Sequence, residues 1–186
     1  MNTKLWIGIF ICIMGLFDTR SALAAEGPFQ QGSWELKLNS DFDNAYRPFI
    51  EYYLVDNLAI FALGMYDHTE TKITGGIGNG TTDKVTETRF GVGLEYNIPT
   101  GAVVVPYASV AVENLSMKED DGTTVTKVDG PALDLEAGIK IMVGTRGSVN
   151  IGVLYTVASL DTTVSGSTNT ADVKDLAGQL GFSLHF

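Results

Sequence analysis

The 186-residue chain carries two histidines, His68 and His185. Nucleophilic catalysis needs a base within hydrogen-bonding reach of a nucleophile. His68 lies in "MYDHTE", beside Asp67 and Thr69, with no serine two residues on. That spacing offers no convincing nucleophile, so His68 reads as a histidine standing in water at the rim of an element. His185, in "GFSLHF", reads as an interior hydrogen-bonding group. The one cysteine, Cys12, lies inside an apolar run, so no disulfide or thiol-based metal site follows. "GGIGNG" (75–80) lacks the spacing and the strand-to-helix setting of a nucleotide loop. "KEDDG" (118–122) lacks the EF-hand spacing and reads as a solvated acidic loop. No catalytic residue, cofactor or metal site is expected, and the chain does not read as an enzyme.

What remains chemically is a set of charges at alternate positions. "GSWELKLNS" places Trp34, Leu36 and Leu38 opposite Glu35, Lys37 and Asn39. "YRPFIEYYLV" opposes Ile50, Tyr52 and Leu54 to Arg47, Glu51 and Tyr53. "ETRFGVGLEYNI" opposes Phe90, Val92, Leu94 and Tyr96 to Arg89, Gly91, Gly93 and Glu95. "PALDLEAGIKIMV" opposes Leu133, Leu135, Ile139 and Ile141 to Asp134, Glu136, Gly138 and Lys140. In "AVVVPYASVAVEN" and "LAIFALGMYDH" both faces are apolar. Ser109 and Glu113 hint at a polar side in the first, Ala62 and Gly64 in the second. Glu35, Lys37, Arg47, Glu51, Arg89, Glu95, Glu113, Asp134, Glu136 and Lys140 therefore share one face, crowded with small residues and nearly balanced in charge. That combination suits a narrow interior holding an ion-pair network.

A period of two is the strand signature. With "SVNIGVLYTVAS" and the C-terminal "LAGQLGFSLHF" the count is about eight strands, with no helical stretch. Tight-turn compositions join them at Asp56-Asn57, "PTG" (99–101) and "GTRGS" (144–148). Between these fall long polar stretches, 68–87, 115–130 and 159–175, read as loops. Short turns and long loops thus take opposite ends of the sheet. The start, "MNTKLWIGIFICIMGLF" followed by "DTRSALAA", has a basic residue, a short apolar core and an Ala-x-Ala site. It reads as a secretory signal peptide, residues 1–25, with one domain at 26–186. The formal charge is −10, and without Lys4, Asp18 and Arg20 it becomes −11, of which the outer connections carry −8. Such acidity argues against a nucleic-acid partner.

Alternating segments of about ten residues, short turns at one end and long loops at the other form the pattern of a transmembrane barrel. In lipid an open sheet edge would leave N–H and C=O groups unpaired, so the last strand must pair with the first. The chain here resembles the OmpX-like and opacity-type family of eight-stranded outer-membrane proteins. The fold expected is all-β, an eight-stranded antiparallel up-and-down transmembrane β-barrel. The C-terminal Phe182, Leu184 and Phe186 are similar to that family's assembly signal, implying the barrel-assembly machinery as a partner. A soluble barrel with the apolar face inside is the rival. The small residues and balanced charges of the polar face oppose it.

An eight-stranded barrel is just wide enough for its own side chains to fill. The function expected is therefore a non-enzymatic barrel of the bacterial outer membrane displaying acidic loops, with a structural or adhesin-like role. The alternatives are a narrow channel for small solutes and a lipid-modifying enzyme centred on His68. Expected partners are outer-membrane lipid and lipopolysaccharide, and a cationic or host partner at the loops.

Overall fold

The structure, a computed structural model, describes residues 28–41, 46–73, 81–122 and 124–186. The expected leader, residues 1–25, lies outside them. Eight antiparallel strands follow in chain order: β1 (Trp34–Asp41), β2 (Tyr46–Val55), β3 (Leu58–Ile73), β4 (Thr81–Asn97), β5 (Val104–Asp120), β6 (Val125–Val143), β7 (Gly147–Val164) and β8 (Ser167–His185). Each pairs with the next, and β8 pairs back onto β1 from Glu35↔His185 to Asp41↔Gln179, closing the barrel. The ladder runs on to the last residue: Phe186 and Trp34 exchange both backbone bonds, at 2.8 and 3.0 Å. The chain end is thus tied into the wall rather than frayed.

The alternation decides which face is which. Trp34, Ile50, Leu94, Leu135, Ile151 and Phe182 stand exposed on the outer face, while their neighbours along each strand are buried inside. This is the inside-out arrangement a lipid-facing barrel requires. On β5 the inner parity includes Ser109 and Glu113, as their polarity suggests. On β3 the expectation fails. Ala62 and Gly64 face outward, and Ala59, Phe61 and Leu63 are buried. Small size at Ala62 and Gly64 marks nothing about the lumen. Phe61, Leu63, Phe49 and Ala111 instead form an apolar cluster inside the barrel.

The tight turns lie where expected. Asn57 adopts φ +66° at the β2–β3 turn, and Gly101 and Gly144 take positive φ in the next two connections on that end. At the other end the long loops are corrected. Paired strand continues through β5–β6 to Asp120↔Val125 and through β7–β8 to Val164↔Ser167, where Ser165-Gly166 makes a two-residue turn with both φ positive. β3 and β4 pair as far as Ile73↔Thr81. These segments are rich in Thr and Val, which favour extended backbone. Outside the bilayer both faces are wetted, so the strands lose the apolar alternation by which a sequence announces them.

The wall is uneven. β1 and β2 have 8 and 10 residues, whereas β6, β7 and β8 have 19, 18 and 19. At about 3.3 Å per residue and a tilt of roughly 40°, a 19-residue strand rises about 45 Å. The apolar band of such a barrel is only about 25 Å tall. A sheet of β3 to β8 therefore projects beyond the membrane, open on the side where β1 and β2 have stopped.

Candidate functional site

The lumen is built by parity. Residues i, i+2 and i+4 of one strand point the same way, so Glu35, Lys37 and Asn39 enter from β1, and Arg47, Phe49, Glu51 and Tyr53 from β2. Glu95 and Asn97 come from β4, Tyr107 and Glu113 from β5, and Asp134, Glu136 and Lys140 from β6. Antiparallel register sets these on one another across the bore.

Toward the short-turn end, a pair of ammonium groups holds three carboxylates. Lys37 Nζ lies 2.8 Å from Glu51 and 2.5 Å from Glu95. Lys140 Nζ lies 2.7 Å from Glu35 and 2.5 Å from Glu95. The side chains of all five are fully buried. Tyr53 donates to Glu35 at 2.7 Å, and Asn97 donates to Glu95 at 3.2 Å and to the Tyr53 hydroxyl at 3.1 Å. Tyr107 donates to Glu136 at 2.5 Å. A Cβ on Gly152 would stand 2.8 Å from the Tyr107 hydroxyl and 3.1 Å from Glu136 Oε1, so that glycine makes room for the bond. The oxygens of Glu35, Glu51 and Glu95 are near enough together to ligate a metal. The two ammonium groups already occupy the cation positions, so the arrangement reads as an ion-pair network.

Higher up, Arg47 pairs with Glu113 and, at 2.6 Å, with Asp134, which also accepts from Thr156 at 2.6 Å. The Phe49 ring separates the two levels, with Lys37 Nζ 4.6 Å and Arg47 Cζ 5.6 Å from its centroid. A cation close to an aromatic ring is favourable where water is excluded. Nine of the ten charged residues read from the sequence are therefore buried together. Arg89 is the exception. It is half-buried above the network and pairs with Glu87 of its own strand at 2.7 Å. Among the buried set, six carboxylates stand against three cations, more acidic than the near-balance expected.

The short-turn end is closed by a residue the sequence did not single out. Phe29, from the segment before β1, is buried against Tyr53, Ala59 and Val105. Its ring meets His185 edge-on at 5.3 Å and lies 5.2 Å from Lys140 Nζ. The segment is fastened by backbone bonds: Asn57 N–H donates to the Phe29 carbonyl at 2.7 Å, and Gly32 N–H to that of Tyr53 at 2.9 Å. Isolated from any periodic stretch, Phe29 left no pattern to read. Asn39 and Tyr53, already set on the polar face by the alternation of β1 and β2, are buried with the network, and Asn97 continues the parity of Glu95.

His185 is buried at this end, with Nδ1 3.5 Å from Glu35. His68 is exposed on β3, and register places it opposite Thr86, whose hydroxyl lies 2.8 Å from Nδ1. Sequence spacing could not show that contact, since it crosses a hairpin. Phe182 is exposed on the outer face of β8 with Leu184 partly covered, and Phe186, just past the end of the strand, is exposed as well. Trp34 and Tyr52 lie against each other at the same end, ring centroids 4.8 Å apart and planes tilted by 51°, where interfacial aromatics gather.

Structural comparison agrees with this architecture. OprG, an outer membrane protein from Pseudomonas aeruginosa, is similar with a TM-score of 0.62 at 14% identity, covering 87% of this chain and 99% of that one. The N-terminal β-barrel domain of Pseudomonas aeruginosa OprF gives 0.58 at 13% identity, covering 84% and 98%. The outer membrane protein AlkL gives 0.52 at 16% identity, covering 90% and 96%. At these identities the likeness shows the fold. No curated protein matches the chain in sequence. The family described as "Outer membrane protein beta-barrel domain" matches residues 18–186. With its closed eight-stranded wall, lipid-type outer face and polar interior, the chain belongs to that family and is a protein of the bacterial outer membrane.

Proposed function

We propose that this barrel is non-enzymatic and serves as a rigid membrane-anchored support for an acidic extracellular sheet, with a structural or surface-interaction role. The observation that carries this reading is the complete burial of Glu35, Lys37, Glu51, Glu95 and Lys140 across the bore. A path for solute would need to break that network, so the accessible polar surface is the projecting sheet. A narrow cation path is the second reading, favoured by the six-to-three excess of buried acid over base. The His68–Thr86 contact places a base beside a hydroxyl, and it is the feature an enzyme reading would use.

Cysteine labelling tests the display. The chain after Cys12 has no thiol, so Asn169→Cys and Thr145→Cys each introduce one into the domain. A membrane-impermeant maleimide on intact cells should label position 169 and spare position 145. The reverse pattern would invert the barrel and end the proposal. Mass spectrometry of membrane lipids tests the chemistry. Expression of wild type and of His68→Ala should give the same acyl-chain composition. An acyl change that needs the wild type would establish an enzyme instead.

A further inference from the structure

We propose that the free edge of β8 outside the membrane is a self-pairing surface, joining this protein to a second copy presented from a facing membrane. The proposal rests on the display reading above and names its partner.

The edge follows from register. β8 pairs with β7 along its whole length, up to Ser167↔Val164. On its other side, pairing with β1 stops at Asp41↔Gln179, and the β1–β2 link is only residues 42–45. Residues 167–178 thus have no strand on that side among the described residues. Their backbone forms an open edge of twelve residues, about 40 Å long at the usual rise. Every residue from Ser167 to Leu176 is exposed. Proteins ordinarily blunt such an edge with proline, bulges or charged side chains, lysine above all, and the charges here are Asp172, Lys174 and Asp175. Here the stretch "STNTADVKDL" has no proline, and its pairing with β7 runs without a register break.

The side chains specify the partner. Two copies of β8 laid antiparallel about Val173 set Asp172 of each opposite Lys174 of the other, giving two opposite-charge pairs flanking the central residue. Opposite charges in that position stabilise a ladder, and like charges destabilise it. A centre one residue earlier faces Asp172 with itself, and one residue later faces Lys174 with itself. The charge pattern therefore favours the Val173-centred register of a second copy over the two registers beside it. Membrane geometry selects the orientation. Strands tilted by about 40° on two barrels standing side by side cross at roughly twice that angle and cannot form a ladder. Two molecules facing each other from opposed membranes bring β8 to β8 antiparallel.

The test is a charge exchange on purified, folded barrel. In detergent the copies are free to adopt the antiparallel orientation, and analytical ultracentrifugation reads the dimer. The wild type should dimerise. Asp172→Lys alone and Lys174→Asp alone should each weaken the dimer by about tenfold or more, since both pairs become repulsive. An equimolar mixture of the two variants should recover it, because every Lys of one then meets an Asp of the other. Vesicles carrying the two variants separately should likewise aggregate only when mixed. Gel mobility of unboiled samples confirms that each variant is folded. A monomeric wild type, a dimer indifferent to both reversals, or a mixture that stays monomeric would each overturn the proposal. Failure of position 169 to label on cells would strike the display reading, whereas these detergent results speak to the edge alone.

Discussion

Lys37 holds one half of the lower network, its one ammonium serving Glu51 and Glu95, as Lys140 holds the other. Removing one member of a buried ion pair leaves its partner charged and unsolvated, at a cost of about 3–5 kcal/mol. Lys37→Ala should therefore lower stability by that amount or more in urea titrations of lipid-refolded protein. Arg89→Ala should cost less than about 1 kcal/mol, since its pair with Glu87 is about a quarter exposed and screened. Equal effects at the two sites would contradict the division drawn here between a dry network and a wet rim. The contrast also marks how far the residues could be read in advance. Parity along each strand placed nine charges inside, because alternation fixes the face. It could not place Arg89, because position along the bore, which decides between burial and the rim, depends on register between strands. Phe29 was invisible for a different reason: it belongs to no strand and acts through contacts brought together by closure of the barrel.

At the scale of elements, the projecting strands separate this structure from a barrel with loose loops. Hydrogen exchange measures the difference directly. Amides of 115–120, 125–129, 159–164 and 168–175 that are paired within the hairpins should exchange slowly, as ladder bonds do, while those of Asp121 and Gly122, past the end of β5, exchange fast. Uniformly fast exchange outside the lipid band would restore loops. The sequence marked strands well where one face is in lipid and poorly where both are in water, as in "VTKV" (125–128), whose extended character lies in Thr and Val content alone. The closing element allows a second test. Phe186 contributes two ladder bonds to Trp34 and an exposed ring, about 2–3 kcal/mol of apolar burial at most against lipid. Deleting it should leave refolding into detergent largely intact. If the resemblance of Phe182, Leu184 and Phe186 to an assembly signal extends to function, the same deletion leaves unfolded protein in the periplasm of expressing cells. Normal delivery to the outer membrane would remove the barrel-assembly machinery from the partners proposed.

We read the whole molecule as a sealed bore beneath an extracellular sheet. Sealing comes from three features: the Lys37 and Lys140 ion pairs, the Phe49–Phe61 cluster above them, and Phe29 across the short-turn end. If the seal is opened, six buried carboxylates against three cations should make the path prefer cations. Phe29→Ala removes the terminal ring without touching an ion pair, so it loosens one barrier and leaves the network in place. Planar-bilayer recording of purified protein is the most direct measurement. The wild type should show no steady open state, and Phe29→Ala should show at most brief cation-preferring openings. A large, steady conductance in the wild type would contradict the sealed lumen and make this barrel a channel.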